Sequence, residues 1–292
     1  MPDPIINRIK ALPIWSGETT ITALQGGLTN LNFVVEDGLG KYVARLGEDI
    51  QAHHVLRFNE LAASRAAHEA GLSPEVVFAD DGIMVLNYIE SKTLSEADIG
   101  QPQNLGRIVE LMQRCHHDLP AHLRGPALVF WVFHVLRDYA ATLREHASPY
   151  AGLLPEFLNI AARLEGDIGP VELVFGHNDM LAGNILDDGE RLWLIDWDYA
   201  GFNSPLFDLG GLASNSQLSE LQELEMLEIY HGTLPDAGLI RRYLAMKCAS
   251  LLRETMWSMV SEATSGLDVD YKAYTAKNLG RFERAYKTYQ QG

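Results

Sequence analysis

Cysteine, positive charge and long apolar runs are all scarce in this sequence. The two cysteines among 292 residues, Cys115 and Cys248, cannot form a disulfide framework and read as buried free thiols in a reducing compartment. Lys and Arg number 23 against 39 Asp and Glu, a net charge of −16. No basic cluster stands out, so no nucleic-acid partner is expected, since neutralising phosphates requires grouped cations. The acidic balance permits a small cationic ligand without selecting one. No segment approaches the roughly eighteen apolar residues that a membrane span needs, so no membrane insertion is expected. The opening MPDPIINRIKALPIW lacks a basic stretch followed by an apolar one and does not read as a signal peptide. A cytoplasmic protein is the expectation. Repeats, low-complexity tracts and charge blocks are absent too, and nothing in the sequence fixes an oligomeric state.

What is present is enough apolar content, 47%, for one large core or two adjoining ones. The texture changes once. TTITALQ, LNFVVE and KYVARL are strand-like, rich in β-branched and aromatic residues, with a DGLG turn between the last two. A helix is expected over HVLRFNELAASRAAHEAG, ending at Gly71, and EVVFADDGIMVLNYI reads as strand, turn, strand. Beyond Ser91 four segments carry helical spacing or composition: NLGRIVELMQRCHH, ALVFWVFHVLRDYAATLRE, SELQELEMLEIYHG and AGLIRRYLAMKCASLLRETMWSMVSEA, with a fifth at YKAYTAKNLGRFERAYKTY. The one β interruption there is 174–201. The expectation is an α+β chain of two lobes: a small β-rich lobe over residues 1–90, hinge included, and a larger mainly helical lobe over 91–292. Ligand sites favour such junctions.

The interruption, VFGHNDMLAGNILDDGERLWLIDWDYAG, sets acidic residues and asparagines among apolar ones. Asn184 lies five residues after Asp179, and Asp196 seventeen after it. NIL and LWLID flank DDGER as a hairpin, which would fold Asn184 and Asp196 towards each other. This is the layout of a kinase-type phosphoryl-transfer site. Asp179 would accept the proton of the attacking hydroxyl. Asn184 and Asp196 would hold Mg²⁺, which takes hard oxygen ligands and keeps waters and phosphates for the rest. Asp198 reads either as a third metal-facing carboxylate or as a hydrogen-bond acceptor. His177 reads as a brace for the loop, and Asp208 as a cap or brace at a helix N-terminus.

On the nucleotide side, GGLTNLN sits in a turn between two strands. Gly27 allows close backbone approach to phosphate, and Thr29 and Asn30 offer donors. Arg45 stands among apolar strand residues and needs a partner, for which Glu60 in the next helix is the natural candidate. A strand cation paired with a helix carboxylate can hold ATP phosphates, and Arg does so bidentately. From their position between lobes, the backbones of Asn87 and Ile89 are candidates for contact with adenine.

Together GGLTNLNFVV, YVARL, GHNDMLAGNIL and LIDWDYAGFNSPLFDLGGLASN resemble the choline/ethanolamine kinase family, within the wider group that includes aminoglycoside phosphotransferases. The similarity runs from about Gly26 to Trp257. It implies a protein-kinase-like fold, ATP as donor, Mg²⁺ and a small cationic amino alcohol as acceptor. By the same matching Asp179 looks like the base, Asn184 and Asp196 look like metal ligands, and Asp198 stands where the family often has glutamate. Eukaryotic members hold a trimethylammonium head between two tryptophans of a late helix. Here LLRETMWSMV supplies Trp257, but Glu254 stands in the other tryptophan's place. A carboxylate suits an amine that donates hydrogen bonds. Asp198, Glu254 and Trp257 are therefore the candidate acceptor contacts. An aminoglycoside or thiamine acceptor, or a kinase fold that only binds nucleotide or amine, are the competing readings.

Overall fold

The computed structural model describes residues 4–24, 30–267 and 269–291. Gly27 and Thr29 lie outside them. Strands β1 (Thr20–Leu24), β2 (Leu31–Glu36), β3 (Lys41–Leu46), β4 (Val76–Asp80) and β5 (Ile83–Asn87) form one antiparallel sheet in the order β1-β2-β3-β5-β4. The β2–β3 turn is tied by Asp37, whose Oδ1 accepts from the amides of Leu39 (2.8 Å) and Gly40 (3.0 Å).

Alternation along the strands gives the sheet two faces. Phe33, Val35, Ala44, Leu46, Ile83 and Val85 form a small apolar cluster with Ile9. Ile9 belongs to a short helix, α1 (Pro4–Lys10), that the sequence reading did not anticipate. The opposite face carries Val43, Arg45, Met84 and Leu86 and looks into a cleft.

Helix α2 (Arg57–Glu69) follows. It starts three residues later than expected, because His54 adopts a left-handed φ of 59° and Val55 pairs with Ile50 in an isolated bridge. Its expected end holds: Gly71 is left-handed at φ 69°. The apolar side of α2, Ala63, Ala66 and Ala67, packs into the large cluster of the helical part, not into the sheet's small one.

A linking segment then leads through β6 (Lys92–Thr93) into α3 (Glu96–Ile99), α4 (Pro102–His117), α5 (Val132–Glu145) and α6 (Leu154–Ile168). Helix α5 starts five residues later than its composition suggests. Val129 is held instead in a parallel bridge with Phe202, and the Phe130 amide donates to the Phe202 carbonyl at 2.9 Å. Helix α6 was not anticipated, although its buried residues Leu154, Phe157, Ile160, Ala161, Leu164 and Ile168 repeat at helical spacing.

Strand β7 (Val174–Gly176), the hairpin β8 (Ile185–Asp187) and β9 (Leu192–Leu194), and β10 (Gly201–Asn203) come next. Expected as one β interruption, this region pairs more widely: β6 joins β8, and β10 joins β7. The chain closes with α7 (Pro205–Asn215), α8 (Glu220–His231), α9 (Ala237–Thr264) and α10 (Tyr271–Gln291). From Ala245 to Ser261, α9 is buried on nearly every side, as befits a helix at the centre of the core. Cys115 and Cys248 are both buried and free. Among the described residues no helix is long and apolar enough to cross a membrane.

Candidate active site

A cleft of about 520 Å³ separates the sheet from the helical part. Its lining brings together Arg45, Glu60, Asn87, Ile89, Asp179, Asn184, Asp196, Asp198, Glu254 and Trp257. These residues come from six places in the chain.

The hairpin explains much of the convergence. Ile185 pairs with Leu194, and the Ile195 amide extends the ladder to the Asn184 carbonyl at 3.0 Å. Asp188 closes the turn by accepting from the Glu190 and Arg191 amides, both at 2.8 Å. Asn184 therefore stands at the base of one strand and Asp196 at the base of the other. The Asn184 amide nitrogen donates to the Asp179 carbonyl at 2.9 Å and approaches its Oδ2 at 3.4 Å. The Asp179 carbonyl can only accept, which orients the amide and leaves its oxygen for a cation. Asp196 takes a left-handed φ of 70°, uncommon outside glycine and concentrated at functional turns.

The loop that carries Asp179 is held from behind. Asn178, also left-handed at φ 63°, donates to the carbonyls of Tyr199 (2.9 Å) and Gly201 (3.0 Å) and accepts from Asn203 Nδ2 at 3.0 Å. His177 Nε2–H donates to the Ile195 carbonyl at 3.0 Å, the bracing role expected of it; burial lowers its pKa. Asp208 differs from expectation. Ser204 caps α7 by accepting from the Leu206 amide. Asp208 reaches back instead, accepting from the amides of His177 and Asn178, each at 2.8 Å, and from His116 Nε2 at 3.0 Å.

The end of the cleft beside Arg45 is a network of ion pairs. Arg45 Nε donates to Glu60 Oε1 at 2.9 Å, and one terminal nitrogen donates to Asp196 Oδ1 (2.8 Å) and Asp198 Oδ1 (3.2 Å). A second arginine, Arg57, donates to Glu60 Oε2 at 2.6 Å and Asp198 Oδ1 at 3.0 Å. Asn30 Nδ2 donates to Asp198 Oδ2 at 3.0 Å. Asp198 is 3% exposed. Burial opposes its ionisation, yet Arg45, Arg57 and Asn30 hold its pKa below the usual range. Glu60 is raised, because burial outweighs its two arginines. At the link between sheet and helices, Asn87 Nδ2 donates to Glu75 Oε2 and the Ile89 carbonyl accepts from Ser91 Oγ.

Beyond Asp179 lies the other end. Burial pushes the Asp179 carboxyl up to about 8 against the pull of Arg253, with Glu254, Asp196 and Asp198 adding to the rise. Glu254 accepts from the Tyr274 hydroxyl at 2.6 Å and from Arg253 at 3.1 Å. Trp257 donates to the Tyr199 hydroxyl at 2.8 Å. Sequence reasoning missed Arg57, Arg253, Tyr199 and Tyr274. Arg253 had a signal, a cation in the apolar run CASLLRETMW. Arg57 had none, since a charge opening a helix reads as solvated.

The sequence profile of choline/ethanolamine kinases matches residues 21–218. Protein LicA of Haemophilus influenzae is 29% identical over 70% of this chain and 61% of its own length, so the chain spans less than two thirds of that relative. A probable ethanolamine kinase of Arabidopsis thaliana is 26% identical over 87% of this chain and 76% of its own. The crystal structure of a choline/ethanolamine kinase family protein from Mesorhizobium loti superposes with a TM-score of 0.77 at 30% identity, covering 98% of this chain and 93% of that one. The profile spans the sheet, the hairpin and the loop that carries Asp179, and stops before Arg253, Glu254, Trp257 and Tyr274. On that extent the chain belongs to the choline/ethanolamine kinase family.

Proposed function

We propose that this chain transfers the γ-phosphoryl group of ATP to the hydroxyl of a small cationic amino alcohol. The observation that carries this reading is the convergence of Asp179, Asn184, Asp196 and Arg45 on one cleft. Asp179 receives the hydroxyl proton and orients the attacking oxygen. Arg45 contacts the phosphates and is positioned by Glu60, which Arg57 holds from its other oxygen. Asp198 acts as the anchor of both arginines and not as a direct acceptor contact. Asn30, held against Asp198, stands on the phosphate side, and the backbones of Asn87 and Ile89 take the adenine. The division into lobes falls at this link, residues 1–90 and 91–292. Glu254 and Trp257 face the acceptor.

The donor set fits Mg²⁺. The amide oxygen of Asn184 and the carboxylate of Asp196 are hard oxygen donors on neighbouring strand ends, and two side chains suffice when phosphates and waters supply the remainder. When bound, Mg²⁺ offsets the charge of the phosphates. Catalysis by the chain itself is then positioning plus electrostatics. We place the reaction in the cytoplasm, where ATP is available and Cys115 and Cys248 stay reduced.

The test is consumption of Mg·ATP against a panel of choline, ethanolamine, thiamine and an aminoglycoside. Phosphorylation of an amino alcohol is expected. Binding of ATP or amine without turnover of any acceptor would establish a non-catalytic protein, and turnover of thiamine or the aminoglycoside alone would reassign the acceptor.

A further inference from the structure

The acceptor end of the cleft already contains a cation of the protein's own. Arg253 is 3% exposed. Its guanidinium lies over the Tyr199 ring, 4.2 Å from the centroid, and 5.6 Å from that of Phe130. One terminal nitrogen is 3.1 Å from Glu254 Oε2 and 4.0 Å from Asp179 Oδ1. Of the other aromatics at this end, Trp257 is stacked on His53 with centroids 5.0 Å apart and planes at 29°, and Tyr274 meets the Trp257 ring edge-on at 6.1 Å.

These contacts bear on which amine the cleft can take. A quaternary ammonium has no N–H and is held by open aromatic faces. Here the Tyr199 face is taken by Arg253, and one face of Trp257 by His53. A trimethylammonium head would meet a resident guanidinium of like charge in place of an open ring. A protonated primary or secondary amine has another route. It donates charge-assisted hydrogen bonds to carboxylate oxygens, and Glu254 and Asp179, which Arg253 reaches at 3.1 and 4.0 Å, keep lone pairs to accept them.

We propose that Arg253 is a specificity-determining residue that fills the aromatic face from within, so that the acceptor is an alcohol bearing a primary or secondary ammonium group, received by Glu254, and quaternary amines are excluded. This rests on the reading of the cleft as an amino-alcohol kinase. The measurement is kcat/KM for ethanolamine and for choline, each with saturating Mg·ATP, together with calorimetric binding of each amine. Ethanolamine is expected to lead by about tenfold or more, the worth of one charge-assisted hydrogen bond. Arg253→Leu, checked for folding by thermal melting, is expected to narrow that ratio by relieving the exclusion of choline. Glu254→Gln is expected to narrow it from the other side, lowering ethanolamine more than choline, and serves if Arg253→Leu does not fold. Choline used as well as ethanolamine by the unaltered chain, or a ratio that neither variant moves, overturns the proposal while leaving the kinase reading intact. Absence of turnover with both amines overturns the amino-alcohol reading, and equal binding of the two would then overturn this one as well.

Discussion

Asp179 is half surrounded by apolar structure and half by charge, and its reactivity follows from that setting. Burial disfavours its ionised form, and Arg253 at 4.0 Å favours it. Asn184 contacts it through both its carbonyl and its carboxyl group, so the proposed base and the proposed metal-facing amide are tied to each other directly. Replacing Asp179 with Ala is expected to cut turnover by about a hundredfold or more, the usual worth of a positioned general base. Nucleotide affinity should stay near its original value, because the proposed phosphate contacts lie on Arg45. Paired steady-state kinetics and calorimetry check this, and retained turnover would remove Asp179 from its assigned role. Asp179, Asn184 and Asp196 were legible in the sequence because the hairpin fixes their spacing. Arg57 was not, because its partner Asp198 lies 141 residues away and only the folded chain brings them together. Asp198 shows the same limit: its residue type was recognised, but among the described residues its donors include Asn30, Arg45 and Arg57, all far from it in sequence.

Among elements, the hairpin and the two ends of α2 illustrate what local pattern can and cannot give. Turn chemistry placed DDGER correctly, since Asp188 and Gly189 satisfy the turn within five residues. The start of α2 was misplaced because the bridge between Ile50 and Val55 competes with the first helical turn. The start of α5 was misplaced by a bridge to Phe202, over 70 residues away, which no local window contains. The helix α7 contributes to the site through Asp208, which ties the loop of His177 and Asn178 to α4 through His116. Asp208→Ala would leave two buried amides without their acceptor. A loss of about 3 kcal/mol or more is expected, measured by urea denaturation, together with a fall in turnover as the loop loosens. Unchanged stability would show that the loop is held by Asn178 alone.

For the molecule as a whole, the fold class was legible from the switch between strand and helix patterns, whereas the way the two apolar clusters share the chain was not. The larger cluster also contains the pH response. His53 donates and accepts between Tyr139 and Ser261 inside the core, and burial, assisted by Arg253 and His54, lowers its pKa to about 3. The unfolded chain protonates this group near 6.5. The stabilisation from keeping it neutral is therefore present above about 6.5 and is lost as pH falls towards 3. Its share of the slope is about 1.4 kcal/mol per pH unit. His53→Gln should lower stability at neutral pH and flatten the acid limb, which denaturation at a series of pH values would reveal; an equally steep limb would assign the slope to other groups. The seating of α2 has a further consequence. The helix bearing Glu60 is rooted in the large cluster, while the strand bearing Arg45 belongs to the small one. Any rocking of the sheet away from the helical body pulls Arg45 off Glu60, Asp196 and Asp198 in one stroke. On the proposed reading, widening the entrance and disarming the site would be the same motion.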